Sequence, residues 1–251
     1  MLSELLIKTP LINLESAGRP DIYVKAECMQ FGGSFKSRGI ISFLNHLDEV
    51  NGLITYTTGN HGIAIAAIAK ELQLPSIIII SNEKLSSHKR LLIESLGGSV
   101  NLIMNKDLDE ATGIAIRLAN ELNYTFVPLY DNEELLFGYS QIATEILTDF
   151  NEAVQFYLPI GSGSLLIACA RLAKSVNPAN KIIGVEPEKY QRLNATASKN
   201  RTSKSIADGL SIDKIPMTNL DLLNYVDSIE TLSENEIIKT MRLIRKLFDN
   251  N

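Results

Sequence analysis

Apolar residues recur along this chain in short runs whose period alternates between that of a strand and that of a helix, and the alternation predicts an element order. Residues 22–26 read as a short strand, and Ile40, Ile41, Phe43, Leu44 and Leu47 then mark a helical face. Residues 52–56 are a β-branched and aromatic run, whereas 63–72 are apolar almost all round, the pattern of a buried helix. An apolar strand follows at 76–81, then an amphipathic helix over 83–96 that Gly97-Gly98 stops. A strand at 100–104, a helix at 108–122 with Ile114, Leu118 and Leu122 apolar, a strand at 125–129 and a helical stretch at 138–150 come next. The pattern continues with a strand (154–160), a helix (165–176) and a strand (181–186). Residues 188–221 are polar and irregular, and a strand (225–231) and a helix (234–248) end the order.

This alternation predicts an α/β fold of mainly parallel sheets with helices on both faces. In such sheets ligands bind beyond the carboxyl ends of strands, where the strand order reverses, so the Gly-containing strand-to-helix turns carry the interest. Composition narrows the classes of function. Lys+Arg 24 against Asp+Glu 29 gives a net charge of −5 with no long charged block, which argues against a nucleic-acid or membrane-surface partner. The longest apolar runs have strand length, and no basic segment followed by an apolar stretch opens the chain, so a cytoplasmic protein is expected. Two distant cysteines (Cys28, Cys169) and three histidines (His46, His61, His88) make neither a disulfide nor a metal framework, and no metal is expected.

Three short stretches can carry chemistry. In Ser34-Phe35-Lys36-Ser37-Arg38-Gly39 a lysine follows Gly32-Gly33 and opens a helix. The positive end of the helix dipole favours its neutral amine, the form that traps carbonyls. Taken alone, such a lysine is far more often a solvated helix start. Thr57-Thr58-Gly59-Asn60-His61 crowds hydroxyls, an amide and an imidazole into one turn, suited equally to holding a carboxylate or to plain helix capping. Gly161-Ser162-Gly163-Ser164 follows a strand and opens a helix, a cradle suited to phosphate, with a tight packing turn as the alternative. It is no P-loop. It is also a poor dinucleotide fingerprint, because Leu166 stands where a small residue belongs, although Glu186 lies where a ribose-binding acid would sit. A lysine, a phosphate cradle and a carboxylate cradle together describe a site for a phosphorylated aldehyde cofactor and an amino acid.

The series Thr9-Pro10-Leu11, Ser34 to Gly39, Thr58-Gly59-Asn60-His61, Gly161-Ser162-Gly163-Ser164-Leu165, Gly184-Val185-Glu186-Pro187 and Ala207-Asp208-Gly209 resembles the serine/threonine dehydratase and serine racemase family, pyridoxal-phosphate enzymes of fold type II. The resemblance implies that Lys36 forms the Schiff base with pyridoxal 5'-phosphate and acts as base at the substrate Cα. It further implies that Phe35 packs on one face of the cofactor ring, with backbone near Gly209 on the other. Asn60 would hydrogen-bond the ring hydroxyl, and Gly161, Ser162, Gly163, Ser164 and Leu165 would hold the phosphate. Thr57, Thr58, Gly59, Asn60 and His61 would bind the substrate carboxylate. The implied reaction removes water from L-serine or L-threonine, giving a keto acid and ammonia. Thr58 keeps racemisation open, since racemases of this family use a hydroxyl there as the opposite-face acid. A small mobile lobe at 52–131, a large lobe from 1–51 and 132–251, and a homodimer are the implied architecture.

The sequence departs from that family in three places. Ser162 and Ser164 interrupt what is usually a glycine run, so the loop's backbone geometry is in question. Glu186 matches one ligand of a divalent cation found in some members, but Arg192 stands at the second, acidic position. Relatives also continue past the final helix with a residue for the pyridine nitrogen, whereas this sequence reaches only Asn251. The large lobe is therefore expected to be incomplete, and a truncated pseudoenzyme that binds cofactor or partner without turnover stays open. A nicotinamide-dependent oxidoreductase using 161–164 and Glu186 is the alternative from another class.

Overall fold

The computed structural model describes residues 2–57, 59–81, 86–103, 108–191, 193, 205–211 and 223–249. Strands Leu11–Leu14 (β1) and Arg19–Lys25 (β2) precede helix Lys36–Leu44 (α1), strand Leu53–Tyr56 (β3), helix Asn60–Glu71 (α2) and strand Ser76–Ser81 (β4). Helix Ser87–Ser95 (α3), strand Ser99–Ile103 (β5), helix Leu108–Leu122 (α4), strand Thr125–Phe126 (β6) and helix Glu133–Thr148 (α5) follow. Strand Gln155–Pro159 (β7), helix Ser164–Val176 (α6), strands Lys181–Pro187 (β8) and Ser228–Leu232 (β9) and helix Glu234–Asp249 (α7) complete the order. The chain forms two compact units, Met1–Thr9 with Ala26–Tyr139 and Pro10–Lys25 with Ser140–Asn251.

The first unit is built on a four-stranded parallel sheet in the order β5-β4-β3-β6. Alternate residues of β3 feed opposite faces, as the pleat requires. Leu53 joins Ile40, Ile41, Leu44, Ile63, Ile65 and Ile68 from α1 and α2 in one core, while Ile54 and Tyr56 pack on the other face against Ala111, Ala115 and Ala119 of α4. The stripe of α4 that meets the sheet is therefore alanine at i, i+4 and i+8, and Leu122, read as part of its apolar face, is exposed. β3 has β4 on one side and β6 on the other, so the strand order reverses beside it. The turn after β3 consequently lies at the position where such sheets bind ligands.

The second unit holds the antiparallel pair β1-β2 and a three-stranded parallel sheet, β7-β8-β9. The α/β class with parallel sheets and covering helices is thus as the sequence indicates. Several boundaries differ. The four-residue strand β1 carries too little pattern to be predicted, and it pairs with a β2 that begins at Arg19, just past the left-handed Gly18 (φ 73°). Helix α5 starts at Glu133 rather than 138, because the Asn132 side chain accepts from the Leu135 N–H at 2.9 Å and caps it; Gly138 is an interior contact, not a start. The ladder at 125–129 is regular only over Thr125–Phe126, and the strand at 225–231 begins at Ser228. Helix α3 runs from Ser87 behind its Ser86 cap, and residues 82–85 lie outside the described residues, as does most of the irregular stretch 188–221. Among the described residues no helix is long and apolar enough to cross a membrane.

Candidate active site

Lys36 is the first residue of α1, and the sequence around it fixes that helix start firmly. Gly32 and Gly33 both take left-handed backbone (φ 70° and 76°), and a Cβ on Gly32 would lie 2.7 Å from Ser37 Oγ and 3.1 Å from Ala64 Cα. The Ser37 hydroxyl donates back to the Phe31 carbonyl at 2.5 Å. Arg38, buried, makes a two-pronged contact with Glu27, Nε to Oε2 at 2.8 Å and NH2 to Oε1 at 2.9 Å, and reaches the Ile7 carbonyl at 3.3 Å. Thr9 Oγ1 donates to the same carboxylate at 2.5 Å. The amide of the buried Gln30 grips Ile7 from both ends, accepting from its N–H at 3.1 Å and donating to its carbonyl at 2.8 Å. This clamp was not legible from the sequence, because its members, Ile7, Thr9, Glu27, Gln30 and Arg38, share no local pattern.

The Lys36 amine sits 5.0 Å from the centroid of the Phe35 ring and 5.2 Å from that of Tyr139, and the two rings meet edge to face at 5.0 Å and 75°. Among the described residues no carboxylate or hydrogen-bond acceptor meets the amine. Ring faces favour an ammonium, but loss of water outweighs them and lowers its pKa from 10.5 to about 8. Lys36 thus sheds its proton near neutrality, as a carbonyl-trapping or proton-moving amine must. Tyr139, wholly buried at a distant point in the sequence, was missed by sequence reasoning.

The turn after β3 is the second part of the site. Thr57 is buried, and its Oγ1 accepts from the Gly59 N–H at 3.1 Å; Gly59 caps α2 with its carbonyl, which receives Gly62 N and Ile63 N. Asn60 opens the helix and is exposed. His61 is 2 % exposed, and neither ring nitrogen has a hydrogen-bond partner among the described residues. Its pKa is pushed well below 6.5, first by burial and then by the charge of Lys36; the Val127 backbone pulls the other way without reaching bonding geometry. The imidazole is therefore neutral beside the lysine. Lys89 of α3 lies along Gly59, with Nζ 3.1 Å from where a Cβ would stand, a second cation at this turn that sequence reasoning also missed. Thr58 lies outside the described residues, as does Arg192.

In the second unit, Gly163 caps α6 at φ 88°, a position suited to glycine, while Ser162 and Ser164 hold negative φ. The serines that interrupt the expected glycine run thus occupy backbone that any residue adopts. Both are buried, and their hydroxyls are 3.0 Å apart. Gly161 and Leu165 are half-buried. Gly209 lies exposed in the short turn Asp208–Leu210. Leu166, fully buried, comes within 3.0 Å of the Cβ position of Gly184, so the side chain that spoils the dinucleotide fingerprint is part of the core. Glu186 is buried at the end of β8, where it accepts from the Leu193 N–H at 3.3 Å.

The structure therefore groups Phe35, Lys36, Thr57, Gly59, Asn60 and His61 in the first unit, and 161–165 with Gly209 in the second. Each unit's chemistry, taken by itself, fits one end of a phosphorylated aldehyde: in the first, a deprotonatable amine and two buried polar side chains without hydrogen-bond partners among the described residues (Ser34 Oγ and the His61 ring); in the second, a left-handed glycine at the N-terminus of α6.

Comparison with known proteins agrees. The profile of the family described as pyridoxal-phosphate dependent enzyme matches residues 2–247. L-threo-3-hydroxyaspartate ammonia-lyase of Saccharomyces cerevisiae is 29% identical over 97% of this chain and 78% of its own length. The catabolic L-threonine dehydratase of Staphylococcus aureus is 31% identical over 94% of this chain and 71% of its own. Among solved structures, the threonine deaminase of T.th. superposes with a TM-score of 0.81 at 25% identity, covering 97% of this chain and 82% of that one. Maize serine racemase shares the fold at a TM-score of 0.81, with 23% identity over 96% and 76% of the two chains. With a half-buried, low-pKa lysine at the head of α1 and a family match running almost end to end, the chain belongs to the pyridoxal-phosphate-dependent enzymes of fold type II.

Proposed function

We propose that the protein is a pyridoxal-phosphate-dependent lyase that removes water from a small hydroxy amino acid, L-serine or L-threonine, releasing a keto acid and ammonia. The observation that carries this reading is the Lys36 amine, walled by two aromatic rings and brought down to a pKa of about 8. When bound, the cofactor supplies the electron sink. In this reading Lys36 holds the cofactor aldehyde and moves the proton at the substrate Cα. Phe35 supports one ring face, backbone near Gly209 the other, and Asn60 donates to the ring hydroxyl. The N–H groups of residues 161–165 hold the phosphate. The turn Thr57 to His61 holds the substrate carboxylate, with the neutral His61 ring offering a donor that costs no charge. Residues 52–131 form the mobile lobe.

The test is spectroscopic and chemical. Protein incubated with pyridoxal phosphate is expected to gain an absorbance band at the edge of the visible that Lys36→Ala lacks, and to release ammonia and keto acid from L-serine or L-threonine. A wild type that stays colourless overturns the reading. A second reading, a hydroxydicarboxylic amino acid as substrate, is favoured by Lys89 lying against Gly59 and by the identity to the hydroxyaspartate lyase. Comparing kcat/KM for L-threonine and L-threo-3-hydroxyaspartate in wild type and Lys89→Met separates the two: the second reading requires a loss confined to the dicarboxylate.

A further inference from the structure

We propose that Tyr139 is a positioning residue for Lys36, whose ring, rather than its hydroxyl, keeps the amine dry and aligned. The inference deepens the reading of Lys36 as the reactive amine and rests on how α1 meets α5. A Cβ on Gly138 would lie 2.3 Å from the Arg38 carbonyl oxygen and 2.6 Å from Gly39 Cα, so the two helices touch backbone to backbone. A Cβ on Gly39 would in turn lie 2.4 Å from Tyr139 Cε1 and 2.6 Å from Cζ. The tyrosine ring is thus seated directly on the bare backbone of Gly39, one helical turn beyond Lys36, and has no room to slide toward it.

From that seat the ring does two things. It stands 5.2 Å from the Lys36 amine on one side, and it braces the edge of Phe35 at 5.0 Å on the other. Phe35 itself stands 5.0 Å from the same amine. One side chain therefore sets both walls around the lysine, and it is wholly buried. A ring in this place excludes water from the amine, and excluded water is what disfavours the ammonium. The hydroxyl adds nothing to that exclusion, so the phenylalanine variant preserves it. Small or polar replacements admit water.

The experiment uses cofactor-free protein. Partial acetylation with acetic anhydride across a pH series, with Lys36 quantified by peptide mass spectrometry, gives the pKa of that amine directly. Wild type and Tyr139→Phe are expected near 8, whereas in Tyr139→Ala and Tyr139→Gln the value moves upward toward that of an ordinary lysine. A pKa higher by one cuts the neutral fraction at pH 7 roughly tenfold. A Lys36 pKa unchanged in folded Tyr139→Ala or Tyr139→Gln overturns the proposal, and so does a rise in Tyr139→Phe as large as theirs. If neither polar nor small variant folds, the ring serves the core and the proposal is likewise overturned. Because the readout needs no cofactor, a wild type that fails to bind pyridoxal phosphate would sink the proposed function without touching this measurement.

Discussion

The turn after β3 and the turn after β7 share a plan, strand into Gly-containing turn into a largely buried helix, yet they handle polarity in opposite ways. At the first, an imidazole is buried without a hydrogen-bond partner among the described residues, near a half-buried amine whose pKa desolvation lowers. At the second, the two hydroxyls lie 3.0 Å from one another, and the backbone alone carries the unusual geometry through Gly163. A buried donor or acceptor left unmade costs about 1–3 kcal/mol. The first turn therefore holds a cost that a bound ligand can relieve, while at the second the hydroxyls already pair with one another. In the proposed reading the difference locates selectivity: side chains such as Thr57 and His61 would choose the substrate, and the backbone of 161–165 would grip the phosphate.

The sharpest break in this comparison is Lys36→Ala. It is expected to lower keto-acid formation by roughly 10²–10⁴-fold or more, the share of a positioned proton-transfer group, measured by ammonia release. Next comes Gly163→Ala, which forces a methyl onto φ 88°. Its cost should exceed about 1 kcal/mol, seen as a lower denaturation midpoint and as weaker pyridoxal-phosphate binding by fluorescence titration.

His61→Leu comes third, read as a pH dependence. In the folded protein the imidazole stays neutral far below its ordinary 6.5, so only the unfolded chain binds that proton as pH falls. Stability tied to His61 is thus present above pH 6.5 and lost below it. The variant should show a flatter decline in denaturation midpoint from pH 6.5 down to about 5. Ser162→Ala is the mildest change. It removes the hydroxyl that meets Ser164 Oγ at 3.0 Å and accepts from the Ser164 N–H at 3.4 Å, and should cost about 1 kcal/mol, with little change in cofactor affinity.

Much of the fold was legible because periodicity reports burial. Helix α4 and strand β4 begin and end where their patterns do, and the three chemical turns could be found from glycines placed between strand and helix. Legibility failed where a boundary depends on one side-chain bond, as with the Asn132 cap of α5, or where four residues are too few to show a period, as with β1. At the site, Lys36 and the asparagine turn were readable as residue types in sequence. Tyr139 and Arg38's partners were not, because ring-to-amine and guanidinium-to-carboxylate contacts join positions that no local pattern links. The doubt over the backbone at Ser162 and Ser164 has a simple answer: only one position of that loop is left-handed, and it kept its glycine.

The grip of Gln30 and Arg38 on Ile7 has a practical consequence for anyone handling this protein. Residues 7–9 brace the helix that carries Lys36, so trimming them reaches the site through its scaffold. A version trimmed to begin at Pro10 would lose the Ile7 carbonyl and the Thr9 hydroxyl together, and any loosening of α1 that followed could be mistaken for an effect of Lys36 itself.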